Sequence, residues 1–224
     1  MDGNGRWARQ RGRPRLVGHR EGAKAVRRTV EAALEQGVNV LTLHAFSADN
    51  WKRPRDEVDS LMRLFAAHLE SETAGCVKNR IRLSVIGRRD RLDAELLEQI
   101  EWSEAATAGG TKMHLRLAVD YSSRESLVHA ARRLQNSVLI SAKALEIAVA
   151  QATHADPSTP GVDLLVRTGG EQRLSDLFAW DCAYAELWFT QKLWPDFGGD
   201  DLAAAIADFR KRDRRFGTVT ENVA

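Results

Sequence analysis

From Arg20 to Gln36 apolar residues recur at helical spacing, at Ala23, Val26, Val30, Ala33 and Leu34, and Gly37 follows as a stop. Val38 to Phe46 then reads as a buried strand. Val58, Leu61, Met62, Leu64, Phe65 and Leu69 mark a second helix, and Ile81 to Ile86 a second strand closed by Gly87. Further on, Asp93 to Ala106 has helical spacing, His114 to Val119 is β-like and Ser126 to Leu134 returns to helix. Ala155 to Val162, with Pro157 and Pro160, is a loop before the strand Asp163 to Val166, and Asp201 to Lys211 is the closing helix. Strand and helix alternate, which predicts an α/β fold with a central, mostly parallel sheet and flanking helices.

Composition narrows this little. The 224 residues, 43% hydrophobic, suit a single domain over 1–224, with 218–224 expected as a frayed tail. Lysine and arginine number 33 against 31 aspartates and glutamates, so net charge gives no reason to expect a polyanionic partner. The basic residues are local, and no aromatic stacking series accompanies them, which argues against nucleic acid. Cys76 and Cys182 form neither a CxxC pair nor a zinc pattern, and the reading is a reduced, cytoplasmic protein. No apolar run approaches the roughly 18 residues of a membrane helix, and the opening Asp2-Gly3 is unlike a signal peptide.

Four segments carry candidate chemistry. Asp2-Gly3-Asn4-Gly5-Arg6-Trp7 sets a carboxylate and an arginine around two glycines, a pattern that offers backbone N–H groups to phosphate and a carboxylate to a metal; alone it reads equally as a surface turn. Arg11, Arg13, Arg15 and Gly18-His19-Arg20 lie at the positive end of the first helix, or on a solvated face. At the end of the first strand, Ser47, Asn50 and Arg53 follow an apolar run, where open α/β sheets bind ligands. Phe46 and Trp51 there suit the core as well. A second strand end delivers Arg167, Arg173 and Ser175, suited to a diphosphate. Glu186, in the apolar run 183–189, calls for a cation.

In this order and spacing, MDGNGRWA, GHREG, AFSADNWKRP, RTGGEQRLSD, AYAELWF and LWPDF resemble the successive motifs of cis-prenyltransferases, over nearly the whole chain. The resemblance implies a cis-prenyltransferase-like sheet without Rossmann-type cofactor use, a homodimer, and condensation of allylic and homoallylic diphosphates with Mg²⁺. It puts an allylic diphosphate on Gly3, Asn4, Gly5, Arg6, Trp7, Arg15, His19 and Arg53, and a homoallylic one on Arg167, Arg173 and Ser175. Asp2 and Glu186 would hold the metal. Ser47 and Asn50 would lie near the departing proton, and Phe46 and Trp51 would wall the prenyl groups.

Some positions depart from the pattern. The family commonly has an apolar strand and a histidine ahead of MDGNGRWA. His44 stands where long-chain members have tyrosine, 120–124 reads DYSSR rather than NYGGR, and 178–181 reads FAWD rather than LLWQ. These changes resemble the branch that makes lavandulyl-type monoterpenes, which implies joining two dimethylallyl diphosphates into a branched or cyclic C10 diphosphate. His44 is then a proton handler, or a hydrogen-bonded strand residue with no chemical role. Regular cis-elongation with isopentenyl diphosphate is the alternative reading, and a noncatalytic subunit a further one.

Overall fold

The computed structural model describes residues 1–137 and 139–214; the expected tail at 218–224 lies outside them. Among the described residues, seven α-helices and five strands run in the order α1 (Asn4–Gln10), α2 (Arg15–Glu35), β1 (Val40–Ser47), α3 (Arg55–Lys78), β2 (Ile81–Ile86), α4 (Ala94–Thr107), β3 (Met113–Tyr121), α5 (Ser123–Leu134), α6 (Ala142–Ala152), β4 (Leu164–Arg167), β5 (Glu186–Phe189) and α7 (Gly199–Phe209). Every strand pair among them is parallel. They form a three-stranded sheet, β1-β3-β2, and a two-stranded one, β4-β5.

The central strand β3 has neighbours on both edges and helices over its faces, so Met113, Leu115, Ala118, Val119 and Tyr121 are all buried. Continuous apolar runs are what a parallel sheet covered on both sides demands. Met113, Leu115 and Val119 form the main core with Leu43, Leu83 and Val85 from the flanking strands and Ile100, Leu69 and Phe197 from outside, while Ala118 and Tyr121 join a second cluster with Leu165 and Phe178.

Local signals set the boundaries. Pro14 and Pro54 stand just ahead of α2 and α3, Asp93 caps α4 by accepting from Leu96 N at 2.8 Å, and Ser122 caps α5 by accepting from Glu125 N at 3.1 Å. Helix α2 therefore starts at Arg15, five residues before the apolar pattern begins.

Two elements depart from the sequence expectation. The segment expected as a glycine-rich turn is helix α1, which begins immediately after Gly3. Helix α6 occupies a stretch without a predicted element. The stretch from Leu187 to Trp194 is divided between surface and interior: Leu187 is exposed, whereas Trp194 is buried, donates to Gly22 O at 2.8 Å and stacks on Phe197.

Candidate active site

Parallel strands place all their C-terminal ends on one side, and β1 and β4 deliver their polar residues there. Helix α1 crosses the same end. Its start is fixed by the backbone: Asp2 N donates to Thr168 Oγ1 at 2.9 Å, Thr168 Oγ1 donates to Asp2 O at 3.0 Å, and Trp194 N donates to Asp2 O at 2.9 Å. Close packing needs two glycines. A Cβ on Gly169 (φ 89°) would lie 2.7 Å from the Arg6 guanidinium, and one on Gly18 would lie 2.0 Å from Asn4 O.

A polar cavity of about 510 Å³ results, lined by Asp2, Gly3, Asn4, Gly5, Arg6, Arg15, His19, His44, Ser47, Asn50, Arg53, Arg167, Arg173 and Ser175. Fourteen of the eighteen residues singled out in the sequence thus meet at one place. Six arginines (6, 9, 15, 53, 167 and 173) face three carboxylates there, Asp2, Asp49 and Glu171.

Asp2 lies 3.2 Å from Arg167 Nη2 and 3.6 Å from Arg6 Nη2. Burial pushes its carboxyl up, but the Arg167 hydrogen bond and the Arg6 charge outweigh that and hold it below the usual aspartate range. Arg167 also donates to Ser175 Oγ at 3.1 Å and to the Arg173 carbonyl. On the other wall Glu57 collects Arg15 at 3.1 Å and Arg53 at 3.2 Å, which aims both guanidinium groups at the cavity rim.

Both histidines are neutral at physiological pH. Burial, then the Arg53 charge, lowers His19 to about 4; burial, then the amino terminus and Arg167, lowers His44 to about 3. Each leaves Nε2 without a hydrogen-bond partner, and the His44 ring meets Tyr121 edge-on at 6.3 Å. Ser47 and Asn50 cap the 3-10 turn 48–52 reciprocally: Ser47 Oγ accepts from Asp49 N at 3.2 Å, and Asn50 Oδ1 accepts from Ser47 N at 3.1 Å.

Four expected residues lie outside the polar cavity. Trp7 turns to the opposite side of α1, buried, donating to Asp196 Oδ1 at 2.6 Å beneath Arg11. Glu186 stands at the start of β5, beside Leu164, whereas Arg167 and the cavity are at the far end of that ladder. It pairs with Arg212 at 2.8 Å and does not join Asp2. Phe46 and Trp51 pack edge to face at 5.3 Å, and Phe46 lines the adjoining apolar cavity.

Sequence reading missed Glu57, Thr168 and Glu171. Glu171 bridges Arg6 at 3.6 Å and Arg173 at 2.5 Å, and its place between RTGG and R was the one available signal. No cluster of three His, Cys, Asp or Glu suited to a metal occurs among the described residues.

A second cavity, of about 420 Å³, continues from the first through Met1, Asn4, His19, Ala45 and Leu61. It runs between α2 and α3 over the sheet and is walled by Val26 and Val30 on one side and by Met62, Phe65, Leu69 and Cys76 on the other. Along α3 the lining reaches from Leu61 to Asn79, about 27 Å at 1.5 Å per residue.

The chain is similar to known proteins over nearly its whole length. The prenyltransferase family described as undecaprenyl diphosphate synthase matches residues 1–217. Isoprenyl transferase 1 of Bradyrhizobium diazoefficiens is 49% identical over 217 residues, 97% of this chain and 87% of the relative. A ditrans,polycis-undecaprenyl-diphosphate synthase of Xanthomonas axonopodis pv. citri, (2E,6E)-farnesyl-diphosphate specific, is 42% identical over 227 residues, 100% of this chain and 88% of that one. Among solved structures, lavandulyl diphosphate synthase from Lavandula x intermedia in complex with dimethylallyl diphosphate superposes with a TM-score of 0.90 at 36% identity, over 97% of this chain and 95% of that one. Fold and site define a prenyltransferase. The chain belongs to the undecaprenyl diphosphate synthase family, the cis-prenyltransferases.

Proposed function

We propose that this enzyme performs regular cis-elongation, adding isopentenyl diphosphate to an allylic diphosphate and feeding the growing chain between α2 and α3. The carrying observation is the length of the apolar trough. With bonds of about 1.5 Å, even an unbranched C10 product, eight carbons along its main chain, is only about 10 Å long, against about 22 Å of lining from Leu61 to buried Cys76. Relatives at 42% identity with an undecaprenyl-forming name support the same reading.

In this proposal Gly5, Arg6, Arg15, His19 and Arg53 hold the allylic diphosphate, and Arg167, Arg173 and Ser175 the homoallylic one. Six arginines against four carboxylates, Asp2, Asp49 and Glu171 in the cavity and Glu57 on Arg15 and Arg53, leave net positive charge for the diphosphates. His19 and His44, being neutral, add none. Donors already aimed at the leaving diphosphate stabilise charge as it develops, and the apolar wall behind them keeps water from the allylic carbon.

Magnesium fits the site through Asp2, which is ionised and faces the cavity. The ion is bound elsewhere through one or two carboxylates plus substrate phosphates rather than an all-protein cage, and one available carboxylate here suits that habit. When bound it would supply neutralisation of diphosphate charge. Cys76 and Cys182 are free buried thiols, which fits a cytoplasmic location. No helix among the described residues is long and apolar enough to cross a membrane.

Irregular condensation of two dimethylallyl diphosphates is the second reading, favoured by the lavandulyl diphosphate synthase superposition. Most of the departures behind it serve packing. Phe178 is buried against Tyr121 at 4.4 Å, Asp120 binds Arg91, and Ser122 caps α5; none of these lines the polar cavity. His44 alone lines it, enclosed and neutral. Incubation with farnesyl diphosphate plus isopentenyl diphosphate, set beside dimethylallyl diphosphate alone, separates the readings by product mass: elongated chains in the first support elongation, and a C10 diphosphate from the second alone supports irregular coupling.

A further inference from the structure

We propose that Asp176 is a positioning residue for the second diphosphate subsite, holding Ser175 and Arg173 in place from the N-terminus of helix α5. The inference rests on the assignment of Arg167, Arg173 and Ser175 to a diphosphate. It starts from backbone conformation. Ser175, Asp176 and Phe178 have φ of 51°, 63° and 44°, in the left-handed region that L side chains rarely occupy. Such residues persist where the surroundings over-determine them, and they gather at ligand clamps.

The restraint is visible. The Asp176 carboxylate accepts from Ser122 Oγ at 2.5 Å and from Arg124 N at 2.9 Å, and the Asp176 carbonyl accepts from Ser123 N at 3.1 Å. Ser123 Oγ in turn accepts from Ala179 N at 3.0 Å, and buried Phe178 packs on Tyr121. A carboxylate at the start of a helix meets unpaired N–H groups and the favourable end of the dipole. On the other side of the same loop, Ser175 Oγ and the Arg173 carbonyl both accept from Arg167. Asp176 itself does not line the polar cavity, while Arg173, Leu174, Ser175 and Leu177 do. It therefore acts through its neighbours: the loop is tied to α5 on one face and presents the anion donors on the other.

Released from α5, the loop relaxes to ordinary φ values and the Ser175 hydroxyl leaves Arg167. The isopentenyl diphosphate subsite then loosens while the allylic side, built on α1, α2 and Glu57, stays as it was. The test compares Asp176→Ala, Asp176→Asn and Ser122→Ala in steady-state kinetics with both substrates, in calorimetric titration with isopentenyl diphosphate alone, and in thermal melting. The expected result for Asp176→Ala is a KM for isopentenyl diphosphate raised tenfold or more, with the KM for farnesyl diphosphate within twofold. Asp176→Asn, which keeps an acceptor for Arg124 N, recovers most of the loss, and Ser122→Ala falls between. A lowered melting temperature with both KM values unchanged, or both KM values rising together, overturns the proposal even where Asp176→Ala folds poorly, because the two milder variants carry the same comparison. Absence of isopentenyl diphosphate binding by the wild-type protein would instead sink the subsite assignment itself.

Discussion

Asp2 is the residue on which most of the chemistry converges. Its backbone is stitched to Thr168 and Trp194, and its carboxylate faces the cavity between Arg6 and Arg167. Asp2→Ala is expected to lower kcat at least about a hundredfold, the scale of losing one electrostatic stabiliser of developing charge. The melting temperature should hold, since a half-exposed ion pair contributes about 0–1 kcal/mol. Turnover near wild type at saturating Mg²⁺ contradicts this role. The histidines give a second expectation. His19, His44 and His114 protonate in the fold only near 4, 3 and 4, chiefly because of burial, whereas the unfolded chain protonates near 6.5. Between those values the unfolded state binds more protons, so stability is full above about 6.5 and declines as pH falls toward 4. The urea midpoint should be lower at pH 5.0 than at 7.5, with a smaller drop in His44→Phe; equal midpoints at the two values contradict it. Arg53, Arg167 and Ser175 were legible in the sequence because polar residues follow apolar runs at strand ends, and Arg6 because it stands with Asp2 around two glycines. Trp7 and Glu186 lie outside the polar cavity because a motif gives proximity along the chain, not direction. One step round α1 carries Trp7 away from Arg6, and Glu186 begins its strand rather than ending it.

Helix α3 is the element that sets how far a product can grow. Its stripe from Leu61 to Asn79 faces α2 across the trough, and Gly75 lies on that stripe with nothing within 4 Å of where a Cβ would stand. Gly75→Leu therefore fills the far end without a clash and removes a helix-interior glycine, a gain of up to about 1 kcal/mol. Products should shorten by one or more prenyl units while the melting temperature stays level or rises. An unchanged product distribution, read by reversed-phase separation, would mean that the chain does not travel along α3. The buried elements were readable from their periodicity, β3 and α4 to within two residues or so. Helix α1 was hidden by glycines at 3 and 5, and its stability comes from packing on α2 rather than from propensity. Glu57 and Asp176 act across gaps of 42 and 54 residues, to Arg15 and Ser122, a relation that only the folded chain displays.

At the scale of the whole molecule, the exposed apolar residues Val128 on α5, Ile147 on α6, Leu187 on β5 and Tyr184 just ahead of it are grounds for expecting a homodimer. Light scattering at micromolar protein should give twice the 25.0 kDa chain mass; a fully active monomer contradicts that. The two cavities together embody the central claim, that a diphosphate site at the strand ends opens into a trough long enough for repeated addition. The most direct measurement is mass analysis of the products formed from farnesyl diphosphate and isopentenyl diphosphate with Mg²⁺. Elongation by several prenyl units is the predicted result. Farnesyl diphosphate left untouched, while dimethylallyl diphosphate alone is turned into a C10 diphosphate, would contradict it.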